Sequence, residues 1–176
     1  MMGTTHAAMG ALLALPVVWV APAYAPFAVS GGIVGSLLPD LDLFVGTHRR
    51  SCHFPVLLWL PAGVAGAWAL AAPSAPAVTV AFLLLGAAVH SGVDVLGGPG
   101  DERAWEGDSH VGVYSHLRKR WLPPRRWIRY DGAPEDVLLY CVLAVPVAVG
   151  FPRLRPLLAA GLVVSVVYAL LRKRLG

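Results

Sequence analysis

Charge is what this sequence has least of. Only 14% of its 176 residues are Asp, Glu, Lys or Arg, against about one quarter in a soluble domain. By contrast 57% are hydrophobic and the mean hydropathy is +0.65, which excludes an ordinary soluble domain and makes lipid the expected solvent. Cysteine is nearly absent. The two that occur, Cys52 and Cys141, fall in a loop and in an apolar stretch of a reducing compartment, so no disulfide framework is expected. No Gly-x-Ser-x-Gly elbow is present, which argues against a serine hydrolase. There is no internal repeat, no low-complexity tract beyond the Ala, Val and Leu bias, and no recognition motif that would turn the basic residues into a nucleic-acid site. Met1 to His6 hold no Lys or Arg. Residues 11–20 followed by Ala23-Tyr24-Ala25 imitate a secretory leader, but Pro26 would sit directly after the cut, so residues 1–25 are expected to be retained.

The apolar residues fall in six stretches: 7–21, 27–38, 54–72, 77–96, 137–151 and 156–171. The third and fourth approach the roughly 20 residues that cross a bilayer; the first, second and fifth are short and should pack inside a bundle or stop at a thinned interface. The expectation is an all-α polytopic integral membrane bundle of about six helices. It forms one membrane domain in which 1–53 make a first hairpin and polar loop, 54–96 a second hairpin, 97–135 a basic and aromatic segment, and 136–176 the last two spans. With the N-terminus inside, every Lys and Arg except Arg153 and Arg155 faces the cytoplasm, as the positive-inside rule requires. The chain is therefore expected in the cell membrane with both termini cytoplasmic. The same arrangement gathers all ten acidic residues and all six histidines at one face.

Chemistry concentrates in that gathering. Pro39 biases Leu38 away from helical angles and delivers Asp40 and Asp42 at the membrane surface, with His48 and His53 close behind. Carboxylates and imidazoles supply the hard oxygen and borderline nitrogen donors that Zn²⁺, Mn²⁺ or Fe²⁺ accept; a solvated loop with helix-capping aspartates is the plain alternative. His90 and Asp94, four apart in the otherwise apolar run 80–96, share one helix face. An unpartnered carboxylate there costs about 2.5–3.5 kcal/mol on insertion scales, so Asp94 needs a partner. Hydrogen bonding to His90 or Ser91 alone would satisfy Asp94 but leave the other aspartates and histidines unexplained. Gly31, Gly32 and Gly35 read as helix packing, and Gly97-Gly98-Pro99-Gly100 as a helix stop. Among the basic residues, most serve topology, interleaved with aromatics that suit the lipid headgroups. Arg118, Arg125, Arg126 and Arg129 are the candidates to neutralise a phosphate substrate.

Thr5-His6, Gly35-Ser36-Leu37-Leu38-Pro39-Asp40-Leu41-Asp42, His48-Arg49, His53 and His90-x-x-x-Asp94 together resemble the YdjM-like (DUF457) family of membrane-bound metal-dependent hydrolases, over residues 5–96. Where that family reads His-Arg-Gly and Thr-His-Ser, this chain has His48-Arg49-Arg50-Ser51-Cys52-His53. The ligand order is more distantly similar to the zinc phospholipase C and P1 nuclease group, though the closing His-x-x-x-Glu pair of those enzymes is missing. The resemblance implies that Asp40, His53, His90 and Asp94 bind one divalent metal, Zn²⁺ first among the candidates. It also implies a second ion between Asp94 and His6; a full three-metal centre lacks its closing pair, to which His110 or His116 could contribute. Asp42 and His48 are placed for orienting a ligand or for general base work. The expected activity is hydrolysis of a phosphoester, lipid-linked in keeping with the depth of the site. The alternative is a membrane scaffold or regulatory protein whose polar cluster or metal is structural.

Overall fold

The computed structural model describes residues 1–100, 103–107 and 109–175. Among these, six helices of eleven residues or more carry the fold: α1 (Gly3–Leu13), α3 (Ala25–Gly35), α4 (Trp59–Ala71), α5 (Ala75–Val93), α6 (Pro134–Gly150) and α7 (Arg155–Leu175), with a single-turn α2 (Val17–Val20) continuing α1. The all-α expectation holds apart from one ribbon. β1 (Tyr114–Ser115) pairs antiparallel with β2 (Arg120–Trp121) inside the basic segment, where hydropathy offers no signal for a pair of two-residue strands.

Each expected apolar stretch forms a helix, but not each is a span. Three helices are long and apolar enough to cross a membrane: Gly3–Val20, Ala75–Leu96 and Pro152–Arg174. The expected six helices are present among the described residues, but the six spans that the topology assumed are corrected to three. α3 has 11 residues and α4 has 13; at 1.5 Å per residue these are about 17 and 20 Å long, well short of a hydrocarbon core of about 30 Å. The third stretch loses its first residues to turns at 55–58, and α3 stops at Gly35 instead of Leu38. A 3₁₀ turn, Leu38–Leu43, follows it with Pro39 in its first turn, where the missing N–H costs nothing.

α3 buries one face and leaves Phe27 and Val34 outward. It lies between α1 and α5, and glycine sets the distance. A Cβ on Gly32 would collide with the carbonyl of Gly10 in α1, one on Gly86 would stand 2.6 Å from the Gly32 carbonyl, and one on Gly35 would strike the backbone of Leu83. The glycines read as packing residues do pack. Ala11, Ala14, Ala28, Val29, Val78 and Val147 fill the seam where α1, α3, α5 and α6 meet. Elsewhere the usual distribution is inverted: the largest fully buried side chains are His6, His53 and His90, while Leu60, Leu70, Val149 and Leu170 face outward. Apolar outer faces of α4, α6 and α7 around a polar interior suit a lipid surround.

α3, α5 and α7 run toward one end of the molecule and α1, α4 and α6 away from it. That end therefore collects the start of α1, the 38–53 loop, the end of α5, the start of α6 and the end of α7. Asp136, fully buried in the first turn of α6, ties it together by accepting from the Met2 N–H at 2.8 Å, the Thr5 hydroxyl at 2.7 Å and the Gly132 N–H at 3.1 Å. At the opposite end the Tyr24 hydroxyl donates to the Pro73 carbonyl.

Candidate metal centre

Four elements bring one donor each to a common point. The 3₁₀ turn after α3 supplies Asp40, the loop beyond it His53, the last turn of α5 His90, and the 3₁₀ turn Asp94–Leu96 supplies Asp94. One ligand atom from each lies within 4.8 Å of all the others. His53 Nε2 is 3.1 Å from His90 Nε2, 3.4 Å from Asp94 Oδ2 and 3.9 Å from Asp40 Oδ1. His90 Nε2 is 3.4 Å from Asp40 Oδ1 and 3.6 Å from Asp94 Oδ2. A tetrahedron with bonds of about 2.0–2.1 Å to its centre has edges of about 3.3–3.4 Å, and the five separations involving His53 or His90, 3.1–3.9 Å, lie close to that.

The partners on the far side of each ring decide what these nitrogens offer. His90 Nδ1 lies 2.6 Å from the carbonyl oxygen of Ser36, which can only accept, so Nδ1 carries a proton and, in the neutral ring, Nε2 keeps its lone pair. His53 Nδ1 lies 2.9 Å from Asp42 Oδ2, with the same result. With both rings neutral, two lone pairs face each other at 3.1 Å, flanked by two carboxylates. A single extra proton would satisfy one or two of these acceptors; a cation at the centre satisfies all four. The donor set fits a divalent metal, and its identity is open among Zn²⁺, Mn²⁺ and Fe²⁺.

Asp42 is buried behind the cluster. Its Oδ1 takes the His48 Nδ1–H at 2.9 Å, and its Oδ2 takes the Cys52 N–H at 3.2 Å besides that of His53. Burial works to raise its carboxyl, but the hydrogen bond from His48 and the charge and hydrogen bond of His53 outweigh it, and Asp42 is held below the usual carboxylate range. In Asp40 burial is likewise outweighed, chiefly by the hydrogen bond and charge of His90, so it too is held low. Burial lowers His48 by more than the Asp42 hydrogen bond restores, with the Arg49 charge adding to the fall. His48 is thus a neutral base at neutral pH.

His6 stands one atom away from the expected role. It stacks on His90 with centroids 3.6 Å apart, and its Nε2 touches the other Asp94 oxygen, Oδ1, at 3.1 Å. The Met1 amino group reaches the same oxygen at 3.3 Å. The place expected for a second ion is spanned by these direct contacts. Neither His110 nor His116 joins the cluster: His110 is exposed, and His116 stacks on Phe54 at 4.3 Å. Cys52 and Cys141 are both free thiols.

No protein-family model, curated protein or solved structure matches this chain. The reading of the site rests on its own geometry.

A cavity of about 570 Å³ opens beside the cluster, with Asp40, Asp94 and His48 on one wall and Val164, Ser165 and Tyr168 of α7 on the other. None of the four arginines singled out for phosphate lines it. Arg129 is paired with Glu135 at 2.8 Å, and Arg126 donates to the carbonyls of Gly107 and Ser109. Arg118 and Arg125 are exposed on the basic segment, which folds away over the 95–97 backbone through the N–H groups of Arg125, Arg126 and Trp127. Among the described residues the guanidinium groups that line the cavity belong to Arg49 and Arg172. Arg172 pairs with Asp131 at 3.1 Å. Arg172 reads in sequence as topological charge and Arg49 as that and as part of the His48-Arg49 resemblance, because nothing in a basic loop or a helix end distinguishes an inward side chain from an outward one. Ser36, whose carbonyl fixes the His90 tautomer, carries no sequence signal either.

Proposed function

We propose that this chain is a membrane-bound metal-dependent hydrolase of the YdjM-like kind, acting on a lipid-linked phosphoester at the cytoplasmic membrane surface. The observation that carries the reading is the convergence of two bare imidazole nitrogens and two carboxylate oxygens beside an open cavity. Asp40, His53, His90 and Asp94 hold the ion, Zn²⁺ being the first candidate. When bound, a divalent ion supplies Lewis acidity to the ester and to water. His6 buttresses Asp94 through its second oxygen. Asp42 is a positioning residue that orients both His53 and His48, the arrangement by which outer carboxylates raise ligand basicity. His48, neutral and with Nε2 unencumbered by its bond to Asp42, accepts the proton of the attacking water and returns it to the leaving alkoxide. A substrate on a lipid chain is supported by the α7 wall of the cavity, since α7 is apolar and almost wholly exposed along its length.

The test is hydrolysis of lipid phosphate monoesters and diesters in mixed micelles by the metal-loaded protein beside a His48→Ala variant. Turnover by the parent, with loss of about a hundredfold or more in the variant at unchanged metal content, supports the proposal; general base catalysis is worth about 10²–10⁴ in rate.

A second reading is favoured by the ligand count. Four protein donors complete a tetrahedron, and closed four-ligand zinc sites are usually structural. On that reading the ion pins the 38–53 loop to α5 and the chain is a membrane scaffold or regulatory partner. A metal-loaded parent with no turnover on any phosphoester, and no loss of metal-dependent stability in His48→Ala, would support the scaffold.

A further inference from the structure

Arg49 is placed as no topological charge needs to be. It is 4% exposed, lines the cavity, and brings its Nε to 3.5 Å from Asp94 Oδ2, the oxygen that faces His53 and His90. Its Nε makes no hydrogen bond, and the one bond from its guanidinium among the described residues is Nη1 to the Gly98 carbonyl. A guanidinium has five N–H donors in a fixed fork, so most of this buried group is uncommitted.

The surroundings are built to hold it there. The Arg49 backbone lies in the left-handed region, φ 59°, which a non-glycine residue adopts at a cost and which recurs at functional sites. Its carbonyl accepts the Tyr114 N–H at 2.9 Å, so β1 fixes the turn. The helix stop at 97–100 has a second purpose: Gly98 presents the carbonyl that receives Nη1, and a Cβ on Gly100 would stand 3.0 Å from Arg49 Cδ. The glycines leave a slot for the arm.

Charge balance says what the slot is for. Among the described residues, the carboxylate in ion-pair range of Arg49 is Asp94. Once a divalent cation neutralises Asp40 and Asp94, the Arg49 charge is buried without a counter-ion, which is unfavourable unless an anion arrives from the cavity. We infer that Arg49 is the phosphoryl-binding residue of the site, gripping a non-bridging phosphate oxygen of the substrate beside the ion. The inference rests on the hydrolase reading and names the anion that reading needs; it moves the phosphate role from Arg118, Arg125, Arg126 and Arg129 to a residue inside the cavity.

The experiment is titration of inorganic phosphate into detergent-solubilised full-length protein, Zn²⁺-loaded and chelated, for the parent, Arg49→Gln and Arg49→Lys, with zinc content measured on each sample. The expected result is phosphate binding by the parent, weakened at least tenfold in Arg49→Gln at unchanged zinc content. Arg49→Lys should fall between, since an ammonium keeps the charge but loses the bidentate fork. Equal phosphate affinity in all three would overturn the inference, as would loss of zinc in both variants, which makes Arg49 a prop for Asp94. A parent that loads zinc and binds no phosphate overturns it while leaving the metal centre standing. A parent that takes up no zinc, but whose phosphate binding still falls in Arg49→Gln, refutes the hydrolase reading and keeps the anion site.

Discussion

At the scale of single residues, the centre is decided by which atom of each side chain faces inward. Asp40 and Asp42 are two apart on a 3₁₀ turn of three residues, so they point about 120° apart: Asp40 joins the donor set and Asp42 backs it. The spacing His90-x-x-x-Asp94 was legible because one helical turn places both on one face. The division of labour between the aspartates was not, because it depends on a turn type that Pro39 permits but does not specify. For Asp42→Asn we expect metal affinity to fall about 10–100-fold, the usual effect of losing a carboxylate behind a ligating histidine; competition with a chromogenic chelator measures it. The same carboxyl titrates below its ordinary 3.8 in the folded protein. Its contribution to stability is therefore complete above that value and is lost as pH falls through the lower folded value. Melting temperatures of the metal-free parent should decline on acidification below about pH 4 more steeply than those of Asp42→Asn, which lacks the contribution at neutral pH already; parallel profiles would contradict the assignment.

At the scale of elements, the molecule is held by close helix contacts and by one buried acid. α1, α3 and α5 approach through Gly10, Gly32 and Gly86. Gly86→Ala should cost about 1–3 kcal/mol, the price of overpacking a tight contact, and lower the thermal midpoint. Gly63→Ala and Gly66→Ala, in α4 where a Cβ meets nothing within 4 Å, should be neutral or slightly stabilising, because alanine is the better helix former. The three variants compared in one detergent check the assignment, and equal effects would contradict it. Asp136→Ala removes three hydrogen bonds to a buried carboxylate. At about 1.5–3 kcal/mol for each bond to a charged group, it should exceed any glycine variant and loosen α1 from α6, as proteolysis or thermal melting would report. Gly31, Gly32 and Gly35 were visible in sequence as packing residues; their counterparts Gly10 and Gly86 were not. Asp136 was not singled out, since an acid in the first turn of a helix ordinarily needs no partner beyond the helix N-terminus.

At the scale of the whole molecule, hydropathy recovered all six apolar helices but overstated how many cross. Apolar composition marks what avoids water and does not distinguish a lipid-facing helix from one enclosed by its neighbours. α3 packs its glycines against α1 and α5 yet shows Phe27 and Val34 outward, and at 11 residues it is too short to cross. The gathering of Asp40, Asp42, Asp94 and Asp136 with His6, His48, His53 and His90 at one end was legible for a related reason: with alternating helix directions, loops at every second turn must share an end. Asp101, Glu102 and Asp108 lie outside the described residues. The cavity, its two arginines and the α7 wall were not legible, because they arise from contacts between segments distant in the chain: Arg49 meets Asp94 and Gly98, Arg172 meets Asp131, and α7 closes over the start of α1. What the assembled molecule presents is a buried cluster of imidazoles and carboxylates beside an open cavity, with Nε2 of His53 and Nε2 of His90 directed at one another. Elemental analysis of the detergent-purified protein beside His90→Ala and Asp94→Asn tests this most directly. The account predicts close to one equivalent of Zn²⁺, Mn²⁺ or Fe²⁺ in the parent and loss of it in both variants. A parent that holds no metal after reconstitution with each of these ions would contradict it.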